Sequence, residues 1–435
     1  MQTHTDIAVI GAGAAGMMAA IWAGRTLQAA GQARAGAGPS VVLLDGTKKP
    51  GAKILVAGGG RCNVTHHAVD ESAYAGSSRN AIKKVLRAFD VPRTIEFFRE
   101  LGVELKREET GKLFPTTDDA HTVLDALTRA CRDAEARLVH PWRVDRVERV
   151  NDGFLVHPAA IEGTEASPLA AKIVILATGG MALPRSGSDG HGYGIARALG
   201  HTTTGRIFPA LVPLILDAAS PLRQLSGIAA PARLELRTHT NKRLVQFTNA
   251  VLCTHFGLSG PGPLDISRYW AEAHALAPAG EKPRLVANWL PQVTGAALDA
   301  DLASLGSVSP VKFLARQIPE RLARTICEVA EVDAASPGHQ LTREARKRLL
   351  TQITEMPLPV TGDRGFTYAE VTAGGVPLAE IHLDRMASRT CPGLHLCGEI
   401  LDVDGRIGGF NFQWAWASGF LAGAAAARAV LGAAT

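Results

Sequence analysis

Paired cysteines are absent from this sequence. Its six cysteines stand at positions 62, 131, 253, 327, 391 and 397, without a C-x-x-C motif or any paired spacing. Disulfide frameworks and zinc sites both need such pairs, so the spacing argues against either. Because unpaired cysteines suit a reducing compartment, we expect a cytoplasmic protein without a bound metal.

Concentrated charge of one sign is also lacking. The formal net charge is +5 over 435 residues, and short basic clusters such as 48–49 and 346–348 are typical of solvated faces. We therefore expect a small-molecule substrate and no nucleic-acid partner. Two apolar stretches, 7–24 and 414–431, are predicted to be buried segments, because a motif occupies the first and Arg428 interrupts the second. No membrane segment is expected.

The most informative stretch lies near the N-terminus, where Gly11, Gly13 and Gly16 have the spacing G-x-G-x-x-G. An apolar run precedes these glycines and good helix formers follow them, which predicts a buried strand, a turn and a helix. In that context Gly11 permits the tight turn, Gly13 lets a pyrophosphate approach the backbone, and Gly16 allows close helix–strand packing. The pyrophosphate is expected at the free N–H groups of the helix.

The motif requires an acidic residue at the end of the next strand, and the run 40–45 supplies Asp45. A small-residue loop over 29–39 accounts for the long gap between helix and strand. A carboxylate can accept hydrogen bonds from both ribose hydroxyls of an adenosine, but it repels a 2′-phosphate. The predicted dinucleotide is therefore FAD or NAD, not NADP.

A second glycine-rich segment follows at 50–65, where three consecutive glycines at 58–60 precede Arg61. Three adjacent glycines predict a loop rather than the interior of a helix or strand. Their N–H groups can form a nest for an anion, to which Lys53 and Arg61 would add positive charge.

Hydrophobic periodicity along the chain predicts an α/β fold. An Asp-Gly turn predicts a hairpin over 142–156, the run 172–177 predicts a buried parallel strand, and a further strand is predicted over 394–398. Helices are predicted over 79–101, 119–136, 310–330 and 342–355. The expected domains are a Rossmann-like domain over 1–204 and 363–435, an inserted β-rich, barrel-like domain over 205–300 and 356–362, and a small helical domain over 301–355.

Taken together, these motifs resemble two-dinucleotide-type flavoproteins and, more closely, the YhiN/BaiN-like family with its aminoacetone-oxidase-type members. The resemblance extends over most of the chain. It implies FAD, a Rossmann-like FAD-binding domain built from both chain ends, an inserted β-barrel-like domain and a small helical domain. No motif demands a covalent link, so we predict that FAD is bound noncovalently. The motifs that carry it are GGGRCN at 58–63, ATGG at 177–180, GLSGP at 257–261, EVTAGGV at 370–376 and GEILDVDGRIGGFNFQ at 398–413.

The resemblance also implies roles for single positions. It puts the adenosine ribose at Asp45, the adenine beside the backbone of Val144, and ribityl or phosphate-side groups at Glu399 and Asp402. The pyrimidine edge of the flavin is expected at the helix N-terminus over 409–412. The implied FAD-binding residues are Gly11, Ala12, Gly13, Ala15, Gly16, Asp45, Lys53, Gly59, Gly60, Arg61, Cys62, Asn63, Val144, Thr178, Gly179, Gly398, Glu399, Asp402, Gly408, Gly409, Phe410, Asn411 and Phe412.

Two enzyme hypotheses and one from another class stay open. The sequence contains no second G-x-G-x-x-G and no C-x-x-x-x-C pair, so neither a dedicated NAD(P)H domain nor dithiol chemistry is expected. We predict an FAD-dependent oxidoreductase that transfers hydride through flavin. It would be an enone or enoate reductase with NAD(P)H as a transient donor, or an aminoacetone-type amine oxidase that uses oxygen. The third hypothesis is a flavin-binding accessory protein without its own turnover.

The inserted block supplies the predicted catalytic residue. His255 stands just before the glycine-rich loop 257–262, which is expected to line the substrate pocket. An imidazole titrates near neutral pH, so His255 is the residue predicted to orient substrate or move a proton. Arg61 and Cys62 are expected to position flavin rather than to react.

Overall fold

A computed structural model describes residues 4–31, 40–160 and 167–432 of the chain. Part of the loop predicted over 29–39 lies outside these described residues. The chain forms two compact units: a first unit of residues 1–208 and 371–435, and an inserted unit of residues 209–370. Within the described ranges, no helix is both long enough and apolar enough to cross a membrane.

Helices occur in both units. In the described residues they are α1 (Ala14–Ala29), α2 (Ala52–Gly60), α3 (Arg79–Ala88), α4 (Val91–Glu100), α5 (Ala120–Asp133), α6 (His191–Ala198), α7 (Pro261–Leu276), α8 (Gly295–Ala303), α9 (Pro310–Leu314), α10 (Glu320–Val329), α11 (Arg343–Thr354) and α12 (Phe410–Val430).

The strands are mostly short. Along the described chain they are β1 (His4–Ile10), β2 (Val41–Leu44), β3 (Thr65–His66), β4 (Tyr74–Gly76), β5 (Leu105–Arg107), β6 (Lys112–Pro115), β7 (Ala136–Val139), β8 (Val144–Val150), β9 (Gly153–Pro158), β10 (Leu169–Leu176), β11 (Phe208–Ala210), β12 (Leu214–Leu216), β13 (Ala229–Arg237), β14 (Arg243–Thr254), β15 (Gly257–Ser259), β16 (Arg284–Asn288), β17 (Met356–Leu358), β18 (Val360–Asp363), β19 (Val371–Ala373), β20 (Ile381–His382), β21 (Ala387–Ser388), β22 (Leu394–Leu396) and β23 (Val403–Gly405).

Two of the predicted helices are each divided in the structure. The segment 79–101 forms α3 and α4, because the carboxylate of Asp90 accepts a hydrogen bond from Arg93 N at 3.0 Å and so begins a new helix. Pro92 stands in the first turn of α4, where its missing N–H costs nothing. The segment 310–330 forms α9 and α10, and Pro319 directly precedes the second of these.

A mostly parallel sheet organises the first unit. Its parallel strands lie in the order β22-β10-β1-β2-β7, and the antiparallel strands β20, β21, β8 and β9 extend it. The inner strands are mostly apolar, as Ile7–Ile10 of β1 and all of β2 illustrate, which is typical of strands covered on both faces. The prediction of an α/β, Rossmann-like fold is confirmed.

Two glycines let the first and last helices of this unit approach closely. A Cβ on Gly419 would lie 2.5 Å from the carbonyl oxygen of Ala15, and one on Gly423 would lie 2.1 Å from that of Ala19. Both distances are shorter than any real contact, so α12 can pack on α1 only because these positions carry no side chain. The packing connects the two ends of the chain within one core.

The inserted unit is built on an antiparallel sheet in the order β17-β16-β13-β14-β15-β12-β18. Its core contains residues of the sheet, such as Leu234, together with residues of α8, α10 and α11, such as Leu298, Leu322 and Leu349. The strands and the helices of residues 295–354 therefore share one hydrophobic core.

Candidate functional site

The carboxyl ends of four parallel strands carry the predicted site. Gly11 follows β1, Asp45 follows β2, Thr178 follows β10 by two residues, and Gly398 follows β22. Backbone hydrogen bonds hold these ends in line: Gly11 N donates to Leu44 O at 2.8 Å, and Cys397 N donates to Leu176 O at 3.0 Å. In an open α/β sheet, ligands bind at this edge.

The three fingerprint glycines have different surroundings. A Cβ on Gly11 would lie 2.4 Å from Ala177 O, and one on Gly16 would lie 1.8 Å from Gly11 O. Gly11 also has a φ of +102°, which side chains rarely tolerate. At Gly13, by contrast, no atom of the described residues lies within 4 Å of an added Cβ. Gly11 and Gly16 therefore serve backbone packing, while Gly13 leaves open space where a pyrophosphate was predicted.

The N-terminus of α1 faces that space with unused donors. The first helical bond runs from Met17 N to Gly13 O at 2.9 Å, so the N–H groups before Met17 have no helical acceptor. In the described structure no side chain caps this end, and its first turn has no acidic residue. Such an end carries partial positive charge and can hold a phosphate group.

The Asp45 carboxylate accepts hydrogen bonds from the glycine-rich turn after β1 and from Thr47. Its Oδ2 accepts from Ala12 N at 2.8 Å, and its Oδ1 accepts from both the N–H and the hydroxyl of Thr47, at 2.8 and 2.6 Å. A carboxylate has about four acceptor positions, so one position on Oδ2 stays open for a ribose hydroxyl. Nearby, Trp142 N donates to Asp45 O at 2.6 Å, and buried Val144 begins β8.

The glycine triplet interrupts the helical geometry of α2. Ala57 has a ψ of 142°, and Gly58 and Gly59 have φ values of +59° and +71°. No atom in the described ranges lies within 4 Å of an added Cβ on Gly59. The predicted loop is thus present as a left-handed turn with one open side, which suits the close approach of a planar ligand.

The three residues after this turn have separate environments. The Arg61 guanidinium binds Glu108 at 2.6 Å and lies 4.0 Å from the ring centre of Phe114, so protein groups occupy it. Burial raises the pKa of the Cys62 thiol to about 12, which keeps it neutral. The side-chain oxygen of Asn63 is buried, and no donor in the described part of the chain bonds to it. Asn63 Oδ1 is thus free for a ligand donor.

The Glu399 carboxylate connects two segments that are distant in the sequence. Its Oε2 lies 2.8 Å from Lys53 Nζ, and its Oε1 accepts from Thr372 N at 2.9 Å. The Thr372 hydroxyl in turn accepts from Met181 N at 2.7 Å and from Ala182 N at 3.0 Å. The implied ribityl-side residues Lys53 and Glu399 are therefore brought together, and Thr372 joins them as a residue to which the sequence assigned no role.

The loop 408–412 presents its backbone at the N-terminus of α12. Gly409 has a φ of +95°, and a Cβ there would lie 2.5 Å from the carbonyl carbon of Thr65. The first helical bond runs from Gln413 N to Gly409 O at 3.0 Å, and no side chain of the described residues caps this end. The N–H groups of Phe410 to Phe412 consequently have no helical acceptor.

Side chains of the same loop fix its shape. The Asn411 amide accepts from Gly405 N at 2.8 Å and donates to Gly405 O at 2.9 Å. The Phe410 ring stacks on His66 at 5.0 Å between centres, and the Phe412 ring stacks on Trp416 at 5.6 Å. These contacts engage the side chains in packing and leave the backbone amides as the groups that can bind a ligand.

A lysine stands beside this loop. Lys112 is the register partner of His66 in the β3–β6 pair, and its Cε would lie 3.8 Å from a Cβ on Gly408. No carboxylate of the described residues forms an ion pair with Lys112. Its ammonium therefore adds positive charge near the N-terminus of α12, a contribution that the sequence analysis missed.

Buried side chains of α12 form hydrogen bonds that hold this helix against β3, α4 and Gly398. Gln413 Oε1 accepts from Thr65 and Thr94 hydroxyls at 2.6 and 3.0 Å. Trp414 Nε1 donates to Gly398 O at 3.1 Å, and Gly398 N donates to the Ser418 hydroxyl at 3.0 Å. A glutamine and a serine inside an apolar helix were the sequence signal for these buried bonds.

Two buried hydroxyls of the first unit have no partner among the described residues: those of Thr178 and Tyr193. Burial, with a further contribution from the charges of Glu399 and Asp402, raises the pKa of Tyr193 well above its usual range. Tyr193 therefore stays protonated as a potential donor beside two implied cofactor residues. Taken with the open sides of Gly13 and Gly59, this environment fits a bound dinucleotide.

His255, the predicted catalytic residue, lies in the inserted unit, and its contacts are with other residues of that unit. It occupies an exposed two-residue turn between β14 and β15, where its carbonyl accepts from Arg223 Nε at 2.8 Å. Thr254 closes the turn through its hydroxyl, which accepts from Gly257 N at 3.1 Å. The ring contacts Phe256 edge-on at 5.1 Å between centres.

Comparison with known proteins identifies the family. The family model described as "HI0933-like protein Rossmann domain" matches residues 5–425. A 3-dehydro-bile acid delta(4,6)-reductase of Clostridium scindens is 32% identical over 426 residues, which cover 97% of this chain and 99% of that protein. A ribosomal RNA dihydrouridine synthase of Escherichia coli is 31% identical over 422 residues, which cover 95% and 96%.

A solved structure supports the fold. The 3-ketosteroid delta1-dehydrogenase of Sterolibacterium denitrificans aligns with a TM-score of 0.51 at 13% identity, covering 98% of this chain and all of that one. The strand-end geometry and the match along nearly the whole chain agree with the resemblance seen in the motifs. The chain therefore belongs to the HI0933-like Rossmann FAD-binding family, and it is an FAD-dependent oxidoreductase.

Proposed function

We propose that this enzyme reduces a carbon–carbon double bond conjugated to a carbonyl group. One observation carries the proposal: two relatives that match nearly the whole chain have names that describe this same step on different molecules. A delta(4,6)-reductase acting on a 3-dehydro steroid saturates an enone, and a dihydrouridine synthase saturates the uracil bond next to a carbonyl. The proposed reaction is the step common to both.

The chemistry divides between cofactor and protein. FAD, when bound, supplies hydride transfer. The α1 N-terminus and Gly13 would hold its pyrophosphate, and one free position of Asp45 would hold the ribose. The amides of Phe410 to Phe412 and the charge of Lys112 would stabilise negative charge at the pyrimidine edge.

Thiol chemistry receives no support from the site. Cys62 stands in the glycine-rich turn, but its raised pKa keeps it a neutral thiol, and a neutral thiol is a poor nucleophile. All six cysteines are free and buried. We therefore propose that electrons reach the flavin from NAD(P)H docking transiently, without a protein dithiol.

The test uses the purified flavoprotein under anaerobic conditions. It is first mixed with NADH or NADPH, and flavin absorbance is followed. The reduced enzyme is then offered a 4,6-dien-3-one steroid or an unmodified ribosomal RNA fragment, and products are analysed by mass spectrometry. Reoxidation of the flavin with a mass gain of two hydrogens in either acceptor is the expected result.

The amine-oxidase and accessory-protein hypotheses predict other outcomes. Aminoacetone would bleach the oxidised flavin without any nicotinamide, and oxygen would restore its colour, if the enzyme were an amine oxidase. An accessory protein would keep its flavin oxidised with every donor. Either pattern, together with inert enones and inert uracil, would refute the proposed reduction.

A further inference from the structure

An arginine in the inserted unit stacks on two aromatic rings. The guanidinium carbon of Arg364 lies 3.5 Å from the ring centre of Tyr368 and 4.4 Å from that of Phe256. Both distances are within the range of a cation–π contact. Stacking uses the face of the planar guanidinium and leaves its N–H edge for hydrogen bonds.

The sheet brings these residues together. Leu214 in β12 is the register partner of Asp363, the last residue of β18, and also of Leu258 in β15. Phe256, just before β15, lies beside Leu216 of β12, and Arg364, just after β18, lies beside Pro213, three residues earlier in the chain. Because both segments pair with β12, residues more than 100 positions apart in the sequence lie close enough for the long Arg364 side chain to stack on the Phe256 ring.

The backbone around the arginine is held in place. Arg364 N donates to Pro213 O at 3.1 Å, Gly365 N donates to the Asp363 carboxylate at 2.7 Å, and Tyr368 N donates to Gly365 O at 3.1 Å. On the other side, Phe256 O accepts from Leu216 N at 3.1 Å. The guanidinium is therefore positioned before any ligand arrives, which lowers the entropy cost of binding.

Within the described residues, several other arginines of this unit are paired with carboxylates, and Arg364 is not. In this unit Arg237, Arg268, Arg324 and Arg346 form ion pairs with carboxylates. Among the described residues, no carboxylate forms an ion pair with Arg364. Beside it, the Tyr368 side chain remains 48% exposed although it is a large aromatic. An unpaired, stacked guanidinium next to an exposed ring has the chemistry of an anion-binding site.

We propose that Arg364, with Phe256 and Tyr368, binds a single carboxylate or phosphate monoester of a small organic molecule. The guanidinium edge would donate hydrogen bonds to the two oxygens side by side, and the aromatic rings would contact the apolar body that carries them. A polyanion is disfavoured, because the acidic residues Asp363 and Glu370 flank the site in sequence and would repel neighbouring phosphates. This binding site lies within the inserted unit, and the proposal does not depend on the proposed reduction.

The test measures binding before turnover. The full-length flavoprotein is titrated calorimetrically with benzoate, phenyl phosphate and a ten-nucleotide oligouridylate. Three variants are compared: Arg364→Lys keeps the charge but loses the planar edge, Arg364→Met loses both, and Arg324→Met removes one charge elsewhere in the same unit. We expect saturable binding of benzoate or phenyl phosphate that falls about tenfold or more in Arg364→Lys, which equals about 1.4 kcal/mol. Arg324→Met should bind as the wild type does.

Several results would overturn the proposal. They are an absence of saturable binding in the wild type, an equal loss in Arg324→Met and Arg364→Met, and unchanged binding in both Arg364 variants. Oligouridylate binding far tighter than phenyl phosphate, with a steep salt dependence, would indicate an RNA surface instead. Flavin content and circular dichroism report whether each variant is folded.

Turnover separates this inference from the proposed function. If both hold, enones are reduced and benzoate binding depends on Arg364. If no enone is reduced but benzoate binding depends on Arg364, the reduction fails and the binding site stands. If enones are reduced and benzoate binding is unchanged in both Arg364 variants, the binding site fails and the reduction stands.

Discussion

The sharpest prediction compares two glycines that stand three residues apart. In Gly16→Ala the new Cβ would lie 1.8 Å from Gly11 O, a backbone atom that cannot move aside cheaply. Helix propensity alone would make this change stabilising by about 1 kcal/mol. Overpacking against backbone costs about 1–3 kcal/mol or more, so we expect a net loss of about 2 kcal/mol in the free energy of unfolding. The sign of the change thus distinguishes packing from propensity.

Gly13→Ala should behave in the opposite way. Gly13 has a φ of −83°, which any residue adopts, and no atom of the described chain lies within 4 Å of the added Cβ. The free energy of unfolding should change by no more than about 0.5 kcal/mol. The methyl group would instead occupy the space proposed for the pyrophosphate, so the FAD dissociation constant should rise about tenfold or more, equal to about 1.4 kcal/mol.

Two measurements check this pair. Urea denaturation of the flavin-free proteins gives the unfolding midpoints, and titration of flavin fluorescence gives FAD affinity. Gly295→Ala in α8 serves as the control, because no described atom lies within 4 Å of its added Cβ and it belongs to the inserted unit. Wild-type FAD affinity in Gly13→Ala, or wild-type stability in Gly16→Ala, would refute the reasoning about this turn.

Three further predictions concern single side chains. Burial lowers the pKa of His395 to about 4, so the unfolded chain binds the extra proton first as pH falls. The free energy of unfolding should therefore drop by roughly 3 kcal/mol between about pH 6.5 and 4. His395→Gln should flatten this part of the plot of urea midpoint against pH. Parallel plots for the wild type and the variant would contradict the prediction. Because burial raises the pKa of Cys62 to about 12, iodoacetamide should leave Cys62 unmodified in the native protein and alkylate it after unfolding, as peptide mass spectrometry would show. Lys112→Met should lower the midpoint potential of bound FAD by about 30 mV, which is a tenfold change in the equilibrium constant of a two-electron reduction. Lys112→Arg should keep the wild-type potential. Equal potentials in all three proteins would exclude this charge effect.

Local patterns account for what the sequence predicted well. Gly11, Gly13 and Gly16 act through spacing within one turn, and the apolar runs before them fix the parallel strands, so a short window contains the whole signal. The confirmed family resemblance rests on such windows as well. The helix over 79–101 failed as a single element because Asp90 offers a better helix start inside it.

Long-range pairs explain what the sequence could not give. Lys53 and Glu399 are 346 positions apart, and Gln413 meets a threonine 348 positions away. No periodicity encodes such partners, because they meet only after the sheet and α12 have assembled. The two hydrogen bonds from Thr47 to Asp45 Oδ1 join residues close in sequence, but they depend on side-chain rotamers that a pattern of residue types does not specify.

The close packing of α1 and α12 through Gly419 and Gly423 has a consequence for synthesis. The ribosome makes α1 first and α12 last, so at roughly 5–20 residues per second tens of seconds separate the two helices. During that interval the buried face of α1 has no partner, and the amides at the start of α12 do not yet exist. The proposed cofactor cradle can therefore be completed only after α12 has been synthesised.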